Sequence, residues 1–328
     1  MAFDGNNWIK LRRPLSDWEK TQHLKVDAPI STGALPGHAV FDINDAYLEM
    51  SDVMFLQRGV ITWGGPWLLA GAFMLIHFCV WAFMTPPPGV HGSDLVLAYS
   101  AVAVGLVFSF GLLAFILWGL HLENFTWTRR PVRFYRQTRM IHAYRGAGSS
   151  EVISVAWEKA HFFIEKRPRD AIMRAIPYVL RCHVLDDRSN VVQSFSIGPR
   201  LMSFDEETTE AGAATMERLK GRLEFVRRYM EGGPSAVVVD ELLPTTTSFA
   251  AARWIATCDD KILIQQGNGD MVKRTAPLGY LQSVCAWLSW KTCREPVWPE
   301  AIEESPKPDA FVASATKVGS EKNLREQI

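Results

Sequence analysis

Two uncharged apolar blocks, separated by ten residues, constrain this chain more than any other feature. Trp63 to Met84 reads WGGPWLLAGAFMLIHFCVWAFM, and Leu95 to Leu122 reads LVLAYSAVAVGLVFSFGLLAFILWGLHL; neither holds an Asp, Glu, Lys or Arg. As a helix the first block would extend about 33 Å, enough for a hydrocarbon core of about 30 Å. The second is long enough to tilt, or to emerge into the headgroups. One such block would suit the buried helix of a soluble protein. Two so close together favour membrane spans at about 63–84 and 95–122. The position of the first block, behind a mostly polar N-terminal stretch, excludes a cleaved signal peptide.

The connector, Thr85 to Asp94, reads TPPPGVHGSD. Its prolines stop the first helix, because proline lacks an amide donor and restricts the residue before it. Only a tight reversal fits, so residues 60–123 read as a helical hairpin. The connector carries no Lys or Arg, whereas Arg129, Arg130, Arg133, Arg136 and Arg139 follow the second block and Arg58 precedes the first. By the positive-inside rule both termini are cytoplasmic. The same arginines are candidates for contact with anionic lipid headgroups. Ala101, Gly105 and Ser109, four apart, form a small-residue stripe for close helix packing, within the hairpin or between copies in a homo-oligomer. His77 is the basic side chain well inside a span. With no acidic partner it makes no proton path, and a neutral imidazole hydrogen-bonded within the hairpin is expected.

Lys plus Arg is 35 and Asp plus Glu is 35, so the net charge is zero and binding to nucleic acid through bulk charge is not expected. The five cysteines show no paired spacing, which argues against a disulfide scaffold and a structural zinc site.

Beyond the spans, Pro131–Arg136 and Met140–Arg145 read as a strand hairpin, Gly146–Ser150 as a loop and Val152–Trp157 as a third strand. Ala160–Glu165 fits a fourth strand or a short helix. Tyr178–Leu185 and Val191–Ile197 flank the turn sequence DDRSN as a second hairpin. A helix follows, opened by a capping box of Ser203 and Glu206. Met216, Leu219, Leu223, Val226 and Met230 form its buried stripe, and Glu224 pairs with Arg228 on the opposite side. Gly232, Gly233 and Pro234 end it. Lys261–Lys273 reads as a hairpin around Gly267, Asn268 and Gly269. Pro277–Cys293 reads as an aromatic helix, lying on the membrane surface or docked on the domain. The expected fold is therefore an α+β membrane protein. Its parts are an N-terminal cytoplasmic segment (1–59), the hairpin (60–123), an antiparallel-β plus helix domain (128–233), a C-terminal extension (234–303) and a polar tail (304–328). In element order the 128–233 part resembles a pleckstrin-homology-like domain.

No catalytic motif is present: there is no GxSxG, HExxH, Walker loop or dinucleotide fingerprint. Cys182 and His183 are adjacent on a strand, so they point to opposite faces and cannot act together on a substrate or, with Asp186, on a metal. Glu158 and His161 lack a group to orient them as an acid–base pair. Asp42, Asn44 and Asp45 lack the glycine and glutamate of a calcium loop. No catalytic residue, cofactor or metal site is assigned.

Three motifs carry a family resemblance: Arg130-Pro131-Val132-Arg133-Phe134 after the hairpin, VAWEKA from Val155 to Ala160, and PVWPEAIE from Pro296 to Glu303. Together they resemble a family of uncharacterised proteobacterial inner-membrane proteins of the domain-of-unknown-function 6708 type. The resemblance implies a location in the bacterial inner membrane and an association with type VI secretion loci, and it implies no catalytic residues. The resulting expectation is a membrane-anchored, non-enzymatic interaction protein, an accessory or immunity protein whose partner is a secretion component or effector. The rival expectation is a membrane-tethered sensor of lipid or a small ligand.

Overall fold

A computed structural model describes residues 2–4, 7–85, 89, 91–145, 152–170, 174–258, 260, 264 and 269–303. Short N-terminal elements come first: β1 (Ala2–Asp4), β2 (Asn7–Ile9), β3 (Arg13–Pro14), α1 (Asp17–Thr21), β4 (His23–Leu24), β5 (Val40–Ile43) and β6 (Tyr47–Met50). Two long helices follow, α2 (Val60–Met84) and α3 (Ser93–Asn124). The strands β7 (Val132–Tyr135), β8 (Met140–Tyr144), β9 (Val152–Ala156), β10 (His161–Lys166), β11 (Ile176–Leu185), β12 (Asn190–Ser196) and β13 (Leu201–Ser203) lead to α4 (Glu210–Gly232). Last come α5 (Phe249–Thr257), α6 (Gly269–Thr292) and α7 (Glu300–Glu303). The chain is α+β. It divides into two units: Met1–Leu56 with Arg129–Thr246 and Glu295–Ile328, and Gln57–Thr128 with Thr247–Arg294.

The first unit holds two larger antiparallel sheets. One runs β3-β12-β11-β10-β4, with β13 also paired to β11; the other runs β5-β6-β7-β8-β9. Ala160–Glu165, open between strand and helix in sequence, falls on β10. Strands from before α2 pair with strands from after α3, as in the register Glu49 opposite Arg133. The core joins both sheets to α4 through Leu48, Phe134, Phe162, Leu180, Cys182, Phe195, Leu219, Leu223 and Val226, all fully buried. Side chains of this size contribute about 1.5–3 kcal/mol each on burial.

Helix α4 begins later than the capping box suggests. Ser203 ends β13, opposite Ile176, so sheet pairing claims its backbone. Thr209 is the N-cap instead, its side chain accepting from Gly212 N at 3.2 Å. The buried stripe from Met216 to Met230 is present, and Gly233 terminates the helix at φ 79°. The Glu224–Arg228 pair forms at 2.9 Å, but its carboxylate is buried and not on a solvated face. Arg227 and the amide of Ile30 also donate to it, because the segment around residue 30 covers this side of the helix. The fully buried Arg222 likewise donates to the carbonyls of Pro36 and Pro199.

In the second unit α2 and α3 pack along Ala72, Cys79, Ser109 and Ile116. Both are long and apolar enough to cross a membrane, and only 11% of the most apolar window of each is buried. The expected hairpin at Lys261–Lys273 gives way to helix where it is described: Ile264 is helical and Gly269–Lys273 open α6, while its turn at Gly267 and Asn268 lies outside the described residues. The Gly146–Ser150 loop and the 304–328 tail also lie outside them. Helix α5, capped by Ser248, packs on α6.

Candidate functional site

The arginines after the second block turn largely inward. Arg133 Nε donates to Glu49 at 2.6 Å, and its guanidinium lies over the rings of Tyr47 (4.4 Å) and Trp298 (4.6 Å). Its side chain is 11% exposed. Burial works against the charged form, but the Glu49 carboxylate outweighs it and raises the Arg133 pKa. Arg129 shares Glu49 at 3.7 Å and donates to Thr245 O at 3.2 Å. Arg139 pairs with Glu158 (2.6 Å) and Glu231 (3.1 Å). Arg136 lies against Gly233, and Arg130 is half-buried. The cluster therefore splits among several partners, and the headgroup contact expected for Arg133 is replaced by a carboxylate and two aromatic rings.

The three family-like motifs meet here. Arg133 of the first stacks on Trp298 of the third, which also packs on Tyr144 at 5.5 Å. Phe134 of the first meets Trp157 of the second edge to face, at 6.2 Å. Nothing in the sequence spacing announced the Arg133–Trp298 contact, because the partners lie on separate segments.

A second cluster forms on the outer face of β10 and β11. Cys182 and His183 do point apart, Cys182 into the core and His183 towards α1. His183 Nε2 lies 3.1 Å from Glu19 Oε1, and its Nδ1 lies 2.9 Å from Ser194 Oγ. With Glu19 ionised, Nε2–H donates, so Nδ1 accepts from the serine hydroxyl. Arg181 in turn donates to Ser194 Oγ at 3.3 Å, which completes the set. Arg13 grips Glu19 with two bonds, at 2.7 and 2.5 Å. Burial would raise the Glu19 carboxyl, but Arg13, His183 and the Ser16 amide together hold it well below its usual range. Burial lowers the His183 pKa, against the opposing pull of Glu19. His161, opposite His183 in the sheet, donates to Glu19 O at 3.2 Å and stacks on His23 at 4.1 Å. Serine, histidine and carboxylate are thus in line, yet Ser194 and His183 are 2% and 1% exposed. A substrate has no approach to the hydroxyl, and the arrangement acts as a satisfied polar clamp between α1 and the sheet.

Glu158 and His161 do not meet, since Glu158 goes to Arg139 and His161 to His23. Asn44 Oδ1 accepts from the amides of Ala46 and Tyr47, so the Asp42–Asp45 run is the turn of the β5–β6 hairpin. Among the described residues no three His, Cys, Asp or Glu side chains are grouped to hold a metal ion.

Beside the histidine stack a groove of about 500 Å³ opens, lined by His23, Lys25, Asp27, Arg139, Glu158 and Glu231, with Trp157 among its walls. Lys25 and Asp27 are exposed. Trp157 Nε1 is buried and has no hydrogen-bond partner among the described residues. The groove offers both signs of charge, which suits a polar chain segment better than an apolar ligand.

In the helical unit a polar lock joins three helix ends. The Glu123 carboxylate accepts from Gly59 N (2.8 Å) and from Thr62 Oγ1 (2.6 Å), capping α2 from the end of α3. Arg58 donates to Glu123 O and Ser289 Oγ, tying α6 to both. Gly59, at φ 90°, lets α6 approach: a Cβ there would stand 2.6 Å from Ala286 N. Of the small-residue stripe, Gly105 faces Cys79 and Ser109 is buried, while Ala101 is exposed. His77 is exposed and makes no hydrogen bond among the described residues, which corrects the expectation of a partner within the hairpin. The ring sits near Cys79 in sequence but about 160° away around the helix, so α3 cannot reach it.

These features define an α+β protein with two helices of membrane-crossing length and a separate, polar-clamped β unit. A family model described as a family of unknown function, DUF6708, matches residues 109–307, and the chain belongs to that family. Neither a curated protein nor a solved structure matches the chain.

Proposed function

We propose that this chain is a membrane-anchored, non-enzymatic interaction protein. The observation that carries the proposal is the union of two outward-facing apolar helices, each window only 11% buried, with a folded α+β unit in one chain. In this reading α2 and α3 form a hairpin across the bacterial inner membrane and both termini are cytoplasmic. The charge asymmetry supports it: no Lys or Arg lies between the helices, whereas Arg58 and the Arg129–Arg139 series lie outside them. The β unit, two antiparallel sheets with α4 packed on them, is the docking module, related in element order to pleckstrin-homology-like domains. The groove at Arg139, Glu158 and Glu231 supplies its contact surface for a protein partner, a type VI secretion component or effector, which makes the chain an accessory or immunity protein.

Burial of Ser194 and His183 supports a structural and not a catalytic role for that serine–histidine–carboxylate alignment. The lipid-sensor alternative draws less support, because Arg133 and Arg139 are engaged by Glu49, Glu158 and Glu231. Crosslinking in intact cells, followed by detergent capture and mass spectrometry, tests the proposal. A secretion component or effector recovered in stoichiometric amount, and lost on charge reversal of Glu231 and Glu158, is the expected result. Recovery of lipid and self-crosslinks alone contradicts it. Ser194→Ala and His77→Ala are expected to leave capture unchanged; loss of function in either with normal folding contradicts the non-enzymatic reading.

A further inference from the structure

Helix α6 has two unlike faces. Ser283, Ala286, Ser289 and Trp290 are buried within the helical unit. Leu278, Leu281 and Leu288 are 56%, 40% and 47% exposed, at intervals of three and seven that place them on one stripe. Cations frame this stripe, with Lys273 and Arg274 before it and Lys291 after it. None of the three pairs with a carboxylate among the described residues. Lys291 instead lies over the Trp287 ring at 5.7 Å, and Arg253 of α5 lies over exposed Tyr280 at 5.6 Å. An apolar stripe flanked by unpaired cations and by amphipathic aromatic rings is the composition of a helix lying in a lipid–water interface.

The position of α6 agrees. Ser289 accepts from Arg58 and donates to Glu123 O, and Ala286 abuts Gly59. The helix is thereby held at the ends of α2 and α3 where their uncharged surface gives way to charge, which is the level of a bilayer surface.

We propose that the Leu278–Leu281–Leu288 face of α6 docks on the anionic surface of the same bilayer that α2 and α3 cross. The leucines enter the acyl boundary, and Lys273, Arg274 and Lys291 meet lipid phosphates. The inference rests on the membrane reading proposed above, and its test separates the two.

The full chain is reconstituted in bilayers of phosphatidylglycerol and phosphatidylcholine. An environment-sensitive fluorescent residue replaces Leu281, Val107 in the middle of α3, or Asp187 in the β11–β12 turn, one at a time, and lipids brominated at shallow or deep positions quench it. The expected result is deep quenching at 107, shallow quenching at 281 and none at 187. K273Q/R274Q/K291Q is expected to reduce quenching at 281 at least twofold and to leave 107 unchanged. Quenching at 107 without quenching at 281 overturns the docking face, as does a triple variant indistinguishable from the parent at 281. No quenching at 107 overturns the membrane reading itself, and the docking face with it.

Discussion

His183 Nε2 and Glu19 Oε1 lie 3.1 Å apart, joining the longest strand of the β unit to a helix 164 residues earlier. Glu19 is also the carboxylate that Arg13 grips and whose main-chain oxygen His161 reaches. One side chain thus fixes the N-terminal segment to the sheet. Removing its charge leaves the Arg13 guanidinium without its counter-ion and puts an amide NH2 where a carboxylate oxygen accepted, and breaking a buried pair from one side costs about 3 kcal/mol. Glu19→Gln is expected to lower the unfolding midpoint of the β unit accordingly in urea titration. A midpoint equal to that of the parent contradicts the clamp.

The histidines of this cluster, with His142 beside Arg133 on β8, predict acid sensitivity. Burial, with the nearby His161 and Lys25 charges, lowers the His23 pKa; burial lowers those of His161 and His183; burial and Arg133 bring His142 down to about 4. A histidine depressed on folding binds its proton more readily when unfolded. Its contribution is therefore full above the unfolded pKa of about 6.5 and is lost as pH falls through the folded value. Glu19, depressed by Arg13 and His183 against burial, acts with the same sign at lower pH. Urea midpoints are expected to hold near pH 7.5 and to fall between pH 6.5 and 4, with a shallower fall in His142→Asn. A flat profile contradicts the assignment.

Gly59 is expected to be intolerant of a side chain. Its φ of 90° strains any L residue, and a Cβ would stand 2.6 Å from Ala286 N and 2.7 Å from Gln282 O, both backbone atoms. Gly59→Ala should cost at least about 2 kcal/mol. Gly111→Ala, on open helix surface, should cost nothing by that route. Thermal melts of the detergent-solubilised protein read the difference, and equal melts contradict the close approach of α6 to α2.

Trp298 packs on Tyr144 and covers the Arg133 guanidinium while itself 5% exposed. Trp298→Ala is expected to cost about 3 kcal/mol of β-unit stability. Trp298→Phe should recover most of it, and a loss equal to alanine's would show that ring stacking on Arg133 is not what holds the C-terminal segment.

Much of the local architecture was legible in sequence. The two apolar helices, the β7–β8 and β11–β12 hairpins and the buried stripe of α4 follow from periodicity and turn residues, which are local signals. The errors are equally physical. Ser203 and Glu206 spell a capping box, yet β13 needs the Ser203 backbone for pairing. Gly267-Asn268-Gly269 spells a turn, yet Gly269 opens a helix. The clamp stayed hidden because Glu19, Ser194 and His183 come from three separate segments, and no spacing rule links residues brought together by tertiary folding. Strands β5 and β6 pair across the intervening helices with β7, a long-range register that a reading of local pattern does not reach.

Membrane insertion is the central claim, and alkaline extraction combined with protease protection of intact cells and spheroplasts tests it most directly. The account predicts that the chain stays in the membrane pellet at high pH. It also predicts that protease added outside cuts only near residues 85–94, leaving the N-terminal portion and the β unit protected. Release of the chain at high pH, or digestion of the β unit from outside, would contradict it.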